Sequence, residues 1–246
     1  MKFLVLLCLI SIVEVKELPS GFEKCHQSDP KINSCLNIAI QNSLKILKLG
    51  IPSFNIPPIE PLKFDYIADD SSPSSTMSLN SVFKNAELQG LADSKIHKTT
   101  TRFKNKFGLK SESFTKKLDF VGQYSMTGQI LILPIRGEGF MNISLNELTT
   151  KHELTGDFYK GSDGQSYINI TNYRVKLLPK LVIFRFDNLF NGDKTLGTTM
   201  NNLLNDNWEI VFESLIPGYE KNFGDKFKEI ANRLFSQVPF ELIFPK

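Results

Sequence analysis

The sequence predicts an α+β protein in which a strongly curved antiparallel β-sheet wraps around a long amphipathic helix. Three observations predict this fold class. Helical periodicity follows Asp193, strand-like alternation runs from Met77 to about Phe190, and one alternating run is too long for a flat strand. Because no linker with the character of a domain boundary separates these patterns, we expect one elongated domain over residues 17–246, acting as a monomer.

The predicted long helix follows a strand and a polar turn. Asn191 and Gly192 favour a turn with positive φ, and Asp193 comes next as a candidate N-cap. Beyond Asp193, apolar residues recur at spacings of three and four, which places them on one side of a helix. They are Leu196, Met200, Leu203, Leu204, Trp208, Val211, Phe212 and Leu215.

Two elements precede the alternating region. Asp29 and Pro30 signal the start of a first helix, and Gly50 and Pro52 end it. A proline-spaced connector then leads to a first strand at residues 62–68, since proline cannot continue a helix.

One alternating run keeps its apolar residues on the same face from residue 118 to residue 132. At about 3.3 Å per residue it would reach about 50 Å, against about 17 to 20 Å for an ordinary strand. Gly122 and Gly128 lie on that face and allow the strand to bend around the helix. Two shorter strands joined by a bulge at Gly128 are the alternative. The other residues of this face are Leu118, Phe120, Tyr124, Met126, Ile130 and Ile132.

A second helical pattern runs from Pro217 to Phe235. The helix either kinks at this proline or begins anew after it. Pro239 ends the pattern, and residues 240–244 are predicted to form a final strand that closes the sheet.

The N-terminus, MKFLVLLCLISIV, has the basic start and short apolar run of a secretory signal peptide. We expect cleavage between about Val13 and Glu17, so that residues 1–16 are removed and the protein is secreted; a retained signal anchor is the alternative. In an oxidising compartment Cys25 and Cys35, which remain once Cys8 has been removed, are expected to form a disulfide.

Two glycosylation sequons fit secretion. Asn142 and Asn169 each begin an Asn-x-Ser/Thr motif, and each alternates with apolar neighbours. Both acceptors therefore belong on the outer face of a strand while the apolar residues point inward.

The sequence gives no support for catalysis or nucleic-acid binding. A net charge of +3 with 22% charged residues offers no electrostatic case for nucleic acid. No GxSxG, HExxH, Walker or CxxC motif is present, and His26, His97 and His152 lie in polar contexts without evident partners. We therefore predict no enzyme, cofactor or metal; an esterase whose Ser-His-Asp residues meet only in space is the alternative.

Residues 95–117 are strongly basic, with Glu112 as the acidic residue among them. Phe103 and Phe107 flank Lys104 and Lys106, which places these charges on the solvent side of an edge-like strand. The segment either prevents aggregation at the sheet edge or contacts an anionic membrane or a receptor. Its cations are Lys95, Lys98, Arg102, Lys104, Lys106, Lys110, Lys116 and Lys117.

Four stretches of the chain, in this order, resemble the insect takeout and juvenile hormone-binding protein family. They are LPSGFEKCHQSDPKINSCL, GQYSMTGQILILPIRGEGFMNISL, LFNGDKTLG followed by MNNLLNDNW, and FSQVPFELIFP. The resemblance implies a secreted carrier that holds a small elongated hydrophobic ligand, such as a terpenoid hormone or fatty acid, in an internal tunnel. It also implies a super-roll of the tubular lipid-binding type, with links to circadian, feeding or chemosensory physiology.

The resemblance favours the takeout branch. The hormone-binding proteins proper carry a second disulfide in the body of the fold, where this chain has no cysteine. We place on the tunnel wall the inward residues of the long strand, the strand before the turn and the helix after it. They are Phe120, Tyr124, Met126, Ile130, Ile132, Phe184, Met200, Leu203, Leu204, Trp208, Val211 and Phe212. The alternative is that these residues form a tight core and that the protein signals through a receptor.

Overall fold

The computed structural model describes residues 15–69, 77–130 and 133–246. The predicted signal peptide lies almost entirely outside this part of the chain. The described residues form an antiparallel sheet, three longer helices and one short helix. The helices are α1 (Ile32–Leu47), α2 (Lys194–Asp206), α3 (Trp208–Phe235) and α4 (Phe240–Ile243), and the strands are β1 (Leu62–Asp69), β2 (Met77–Gln89), β3 (Lys95–Arg102), β4 (Phe107–Ile130), β5 (Leu133–Lys160), β6 (Ser166–Leu178) and β7 (Leu181–Phe186).

A long β4–β5 hairpin is the centre of the sheet. The strand order is β1-β2-β4-β5-β6, with β3 beside β4 and β7 beside β5. Strands β2 and β7 pair with one end of the hairpin, and β3 and β6 pair with the other. We call the end with residues 118–130 and 133–146 the upper half, and the end with residues 107–115 and 148–160 the lower half.

The sheet wraps around a long helix, as predicted, but this helix is α3 rather than the one that begins after Asp193. Helix α3 contacts β1, β6 and β7, whereas α2 packs on β7 and α1 packs on β3. Gly224 of α3 allows the closest approach, because a Cβ atom there would lie 2.5 Å from the carbonyl oxygen of Tyr173 on β6. The curved sheet and long helix confirm the predicted α+β super-roll.

The predicted long strand is confirmed, and β4 is 24 residues long rather than two strands joined at Gly128. It extends further towards the N-terminus than the apolar pattern indicated. Thr115 lies opposite Leu148 and Lys117 lies opposite Asn146, so one residue of each strand, Lys116 and Glu147, is passed over. Because each strand has one extra residue here, its inward-facing residues change between odd and even numbers. This change interrupts the alternation of apolar and polar residues in the sequence.

Gly122 of β4, which was predicted to let the strand bend around the helix, lies against a neighbouring strand instead. A Cβ atom on Gly122 would lie 2.7 Å from the Cα atom of Ala86 on β2. The register between these strands shifts nearby, between Lys84 and Glu87. The glycine therefore permits close contact between two strands, rather than between the sheet and the helix.

The C-terminal elements differ from the predicted ones in two places. The helix that begins after Asp193 ends at Asp206, and α3 begins at Trp208, because Asn207 leaves helical geometry with φ −118° and ψ 29°. Pro217 lies inside α3 and does not end it.

The predicted final strand at residues 240–244 was wrong, since Phe240–Ile243 form the short helix α4. Contacts with Phe103 favour this helix over a strand, because the ring of Phe103 lies 5.5 Å from that of Phe240 and 4.9 Å from that of Phe244. One helical turn places both partner rings on the same side, and short apolar runs fit helix and strand equally well.

The turn and cap before α2 are confirmed. Asn191 has φ 54° and Gly192 has φ 90°, and the Asp193 side chain accepts a hydrogen bond from the backbone N–H of Leu196 at 3.0 Å. This bond satisfies one of the free N–H groups of the first helical turn.

Two asparagines of α2 complete the hydrogen bonding of β7. The Asn201 amide accepts from the N–H and donates to the carbonyl of Phe186, both at 2.9 Å. The Asn205 amide binds Phe184 in the same way, at 2.8 and 2.9 Å. Both side chains take the place of a neighbouring strand, so an exposed sheet edge is covered by a helix.

Candidate ligand-binding site

The interior consists of two apolar clusters. The upper cluster packs the upper half of the sheet against α2 and the first part of α3. The lower cluster packs the lower half against α1, α4 and the last turns of α3. Helix α3 belongs to both clusters and connects them.

A cavity of about 300 Å³ lies in the lower part of the molecule, between α1, α3 and the sheet. Most of its wall is apolar. Helix α1 contributes Leu36, Ala39, Ile40, Leu44 and Leu47. Helix α3 contributes Phe223, Phe227, Ile230, Ala231, Leu234 and Phe235.

The predicted wall residues lie in the upper cluster instead. Phe120, Phe184 and Leu204 are each only 1% exposed. Of the predicted residues whose side chains are described, none contributes to the wall of the lower cavity. The side chain of Ile130 and the whole of Ile132 lie outside the described part of the chain. The others in the upper cluster are Tyr124, Met126, Met200, Leu203, Trp208, Val211 and Phe212. These residues come together as predicted, and their contact with a ligand stays a prediction.

The hydroxyl group of Tyr124 is hydrogen-bonded to the protein backbone. The hydroxyl donates to the carbonyl oxygen of Asp187 at 2.7 Å. Burial, and then the nearby Asp187 carboxylate, raise the pKa of Tyr124 to about 12. Tyr124 also borders an open depression of about 560 Å³ on the outer surface, beside Gln123 and Glu138. Because Lys84, Glu138 and Asn188 also line that depression, it lacks the mostly apolar walls of a site for an apolar molecule.

The sheet side of the lower cavity carries a row of polar groups among apolar residues such as Leu109 and Leu154. Ser94, Ser111, Ser113 and Thr150 face the cavity, and all four are buried. The Ser94 hydroxyl bonds to that of Thr115 at 2.7 Å. This row was hidden in the sequence because the parity change at Lys116 and Glu147 lies between it and the apolar run of β4.

His152 on β5 is the most polar group of this wall. Its Nε2 atom lies 3.3 Å from Ser113 Oγ, and its Nδ1 atom lies 3.2 Å from the hydroxyl of Tyr173. Burial lowers the pKa of His152 to about 4 and raises the pKa of Tyr173 above its usual range. Both are therefore neutral at physiological pH. No partner of His152 was evident from the sequence, and the structure supplies two.

The predicted disulfide is present. Cys25 and Cys35 are joined with an S–S distance of 2.03 Å and a Cα–Cα distance of 5.9 Å, both ordinary for a disulfide. The bond ties the N-terminal segment to α1. Leu18, Phe22 and Glu23 of that segment lie on the cavity wall, so the disulfide holds one side of the cavity in place.

The two sequons differ in exposure. Asn169 is exposed, and its neighbours Ile168 and Ile170 are buried as expected. Asn142 is half-buried and accepts a hydrogen bond from Ser144 at 3.1 Å. Glycosylation at either position stays a prediction.

The basic segment is partly neutralised. Lys106 pairs with Asp157 at 2.9 Å and Lys110 pairs with Glu153 at 3.0 Å. Lys104 and Lys106 lie in the turn between β3 and β4, so the prediction that they belong to a strand was wrong. The remaining cations on β3 and this turn are exposed and, in the part of the chain that the structure describes, have no ionic partner. They are Lys95, Lys98, Arg102 and Lys104.

Two further features are absent from the described residues. These residues contain no group of three His, Cys, Asp or Glu residues placed to hold a metal ion. Within the same ranges, no helix has both the length and the hydropathy of a transmembrane span.

The fold and cavity define a class of protein: an α+β super-roll with an apolar cavity beside its long helix. Residues 3–245 match the family described as haemolymph juvenile hormone binding protein. The chain belongs to this family, whose members are carriers of small hydrophobic molecules.

Similar proteins include two from flies and one of known structure. The circadian clock-controlled protein daywake of Drosophila yakuba is 28% identical over 92% of this chain and 88% of its own length. Daywake of Drosophila melanogaster is also 28% identical, over 93% and 88%. The crystal structure of Epiphyas postvittana Takeout 1 has a TM-score of 0.81 and 27% identity, over 91% of this chain and all of the other.

Proposed function

We propose that the protein is a secreted carrier that binds a small elongated apolar molecule in the lower cavity. The observation that carries this proposal is the cavity of about 300 Å³ with walls of leucine, isoleucine and phenylalanine on two helices. Binding sites for small molecules have volumes of about 300 to 1,000 Å³ and mostly apolar walls, so the cavity is at the lower end of the usual size.

The cavity also differs from an ordinary core. Protein interiors contain few voids larger than a water molecule, because an empty space loses dispersion contacts and costs stability. The upper cluster satisfies this rule, with side chains such as Phe83 and Phe120 in ring contact at 5.6 Å. The lower cavity does not, and a bound ligand would restore the missing contacts.

A pair of tryptophan substitutions on α1 tests the proposal. Ile40 lies on the cavity wall, whereas Ile38, two residues away, is 56% exposed. Ile40→Trp is expected to fill the cavity and to lower the affinity for an apolar fluorescent probe about tenfold or more, because the indole occupies ligand volume. Ile38→Trp places the same side chain in solvent and is expected to leave the affinity unchanged. Equal affinities in both variants and the wild type would contradict the proposal.

The predicted upper wall is tested separately. Leu204→Trp inserts volume into a packed cluster, so it is expected to lower the free energy of unfolding by about 1 to 3 kcal/mol and to leave probe binding intact. Loss of binding with stability unchanged would instead support a ligand between α2 and the upper sheet, as the sequence suggested.

Secretion and physiological role are supported by the family. Its description places members in haemolymph, and the N-terminal pattern fits a signal peptide over residues 1–16. A circadian role is supported by the two fly relatives, which are named circadian clock-controlled proteins. Sampling the transcript through a day tests it, and a constant level in every tissue would count against that role.

We infer that the protein is a carrier rather than an enzyme. Ser113 and His152 are placed like a nucleophile and its base, but the third position is held by Tyr173, a neutral phenol. A carboxylate in that position stabilises the imidazolium that forms during acyl transfer, and a phenol does not. A pKa of about 4 also makes His152 a weak base. Hydrolysis of methyl laurate that is abolished by Ser113→Ala would overturn this inference.

A further inference from the structure

Phe140 places an apolar ring on the outer face of strand β5. It is 51% exposed, whereas the neighbouring Met141 is fully buried. Gln123 of β4 lies opposite Phe140, and among the described residues no other aromatic ring packs against it. A single exposed apolar residue is common on protein surfaces, so the ring alone indicates no function. Two features beside it, an asparagine and a depression, indicate what covers it.

Asn142 lies two residues further along β5, on the same outer face. Alternate side chains of a strand are about 6 to 7 Å apart, so Asn142 and Phe140 are neighbours. Asn142 begins a glycosylation sequon, and its Oδ1 atom accepts a hydrogen bond from the Ser144 hydroxyl at 3.1 Å. Its Nδ2 atom, to which the sugar is attached in an N-glycosylated asparagine, has no hydrogen-bond partner among the described residues. The attachment atom is therefore free on the face that carries Phe140.

The depression of about 560 Å³ on the outer surface begins at the same ring. Phe140 lines it together with Gln123 and Glu138. Lys84 of β2, which lies opposite Gln123, lines the side away from β5. In the part of the chain that the structure describes, Lys84 and Glu138 form no ion pair. The depression thus offers an ammonium, a carboxylate and an amide beside one apolar ring.

These features match the chemistry of a sugar. A pyranose ring has an apolar face of C–H groups, which packs on an aromatic ring, and hydroxyl groups at its edge, which donate and accept hydrogen bonds. We propose that an N-linked glycan on Asn142 folds back over Phe140. Its first sugar lies on the ring, and the next sugars lie in the depression, where Lys84, Gln123 and Glu138 bind their hydroxyl groups. This inference depends on secretion and goes beyond the carrier function, because the depression is separate from the lower cavity.

The second sequon lacks such a platform, although its sequence is similar. Tyr167 precedes Asn169 by two residues, as Phe140 precedes Asn142. Tyr167 is only 8% exposed, because its ring stacks on that of Tyr159 at 5.7 Å and its hydroxyl donates to the Asp163 carboxylate at 2.6 Å. A glycan on Asn169 therefore has no exposed ring two residues before it, and this sequon serves as a natural control.

A double-mutant cycle in protein secreted by insect cells tests the contact. Tm is compared between the wild type and Asn142→Gln, and then between Phe140→Thr and the double variant. Proteins that keep Asn142 are measured as the fraction glycosylated there. Loss of the glycan is expected to lower Tm by about 2 to 4 °C where Phe140 is present, and by much less where it is absent. The cost of losing the bond between Asn142 and Ser144 is common to both comparisons and cancels. Asn169→Gln is the matched control, since its effect on Tm is expected to be the same with and without Phe140.

The wild type alone supplies a second test, which does not depend on how the variants fold. With the glycan labelled with carbon-13, the protons of the first sugar on Asn142 are expected to shift upfield relative to the glycopeptide released by proteolysis, because they lie over the Phe140 ring. A secreted protein without a glycan on Asn142, a first sugar with unshifted protons, or an equal loss of Tm in both backgrounds would each overturn the inference. Each of these results would leave the carrier function standing, because probe binding tests the lower cavity separately.

Discussion

His152, on the wall of the cavity, links the stability of the fold to pH. The imidazole is enclosed by neutral groups, and burial lowers its pKa to about 4, from about 6.5 in an unfolded chain. The unfolded state therefore takes up a proton before the folded state does. The stability that results is fully present above about pH 6.5 and is lost as the pH falls towards about 4.

The expected size of this effect is large enough to measure. Between pH 7 and pH 5, His152 is expected to remove about 2 kcal/mol from the free energy of unfolding. Urea unfolding of the wild type and His152→Gln at both pH values checks it, because all other titrating groups are common to both proteins. Equal losses of stability in the two proteins would show that His152 is not the group responsible.

At the scale of single elements, α2 is held to β7 by side-chain amides in the place of a strand. Asn205→Ala is expected to cost about 1 to 3 kcal/mol, because it leaves the backbone N–H and carbonyl of Phe184 without partners. Asn202 lies on the same helix, is exposed and makes no such bonds, so Asn202→Ala is expected to change stability by less than about 0.5 kcal/mol. Chemical denaturation of both variants checks the difference; equal costs would mean that the amide bonds to β7 contribute little.

The turn and cap before α2 could be predicted from the sequence, whereas a change within the paired strands β4 and β5 could not. Asp193, Asn191 and Gly192 have specific conformational roles, and such local signals were read correctly. The parity change at Lys116 and Glu147 was not visible, because one extra residue in each of two paired strands leaves no local mark. It concealed both the length of β4 and the row of polar residues beside His152 on the cavity wall. The site was therefore predicted in the upper half, where the alternation was uninterrupted.

Among the described residues, β3 and the turn that follows it carry four exposed cations without an ionic partner, and together they form a basic face. We expect this face to contact anionic membranes, where each exposed cation contributes about 1 kcal/mol. Reversing the charges of Lys98 and Arg102 is expected to weaken binding to phosphatidylserine vesicles by at least about 2 kcal/mol. Reversing Arg174 and Lys176, which are exposed on β6, is the matched control. Flotation with vesicles checks this, and binding that does not depend on anionic lipid would contradict it.

The central claim concerns the whole molecule: a super-roll whose lower half is built to enclose an apolar ligand. The alternative is a secreted signalling protein with a purely structural interior. Native mass spectrometry of the protein secreted by insect cells compares the folded mass with that of the denatured polypeptide. We predict an excess of a few hundred daltons in the folded protein, which disappears after organic extraction and returns when methyl laurate is added. Equal folded and denatured masses from every source, with no uptake of added ligand, would contradict the account.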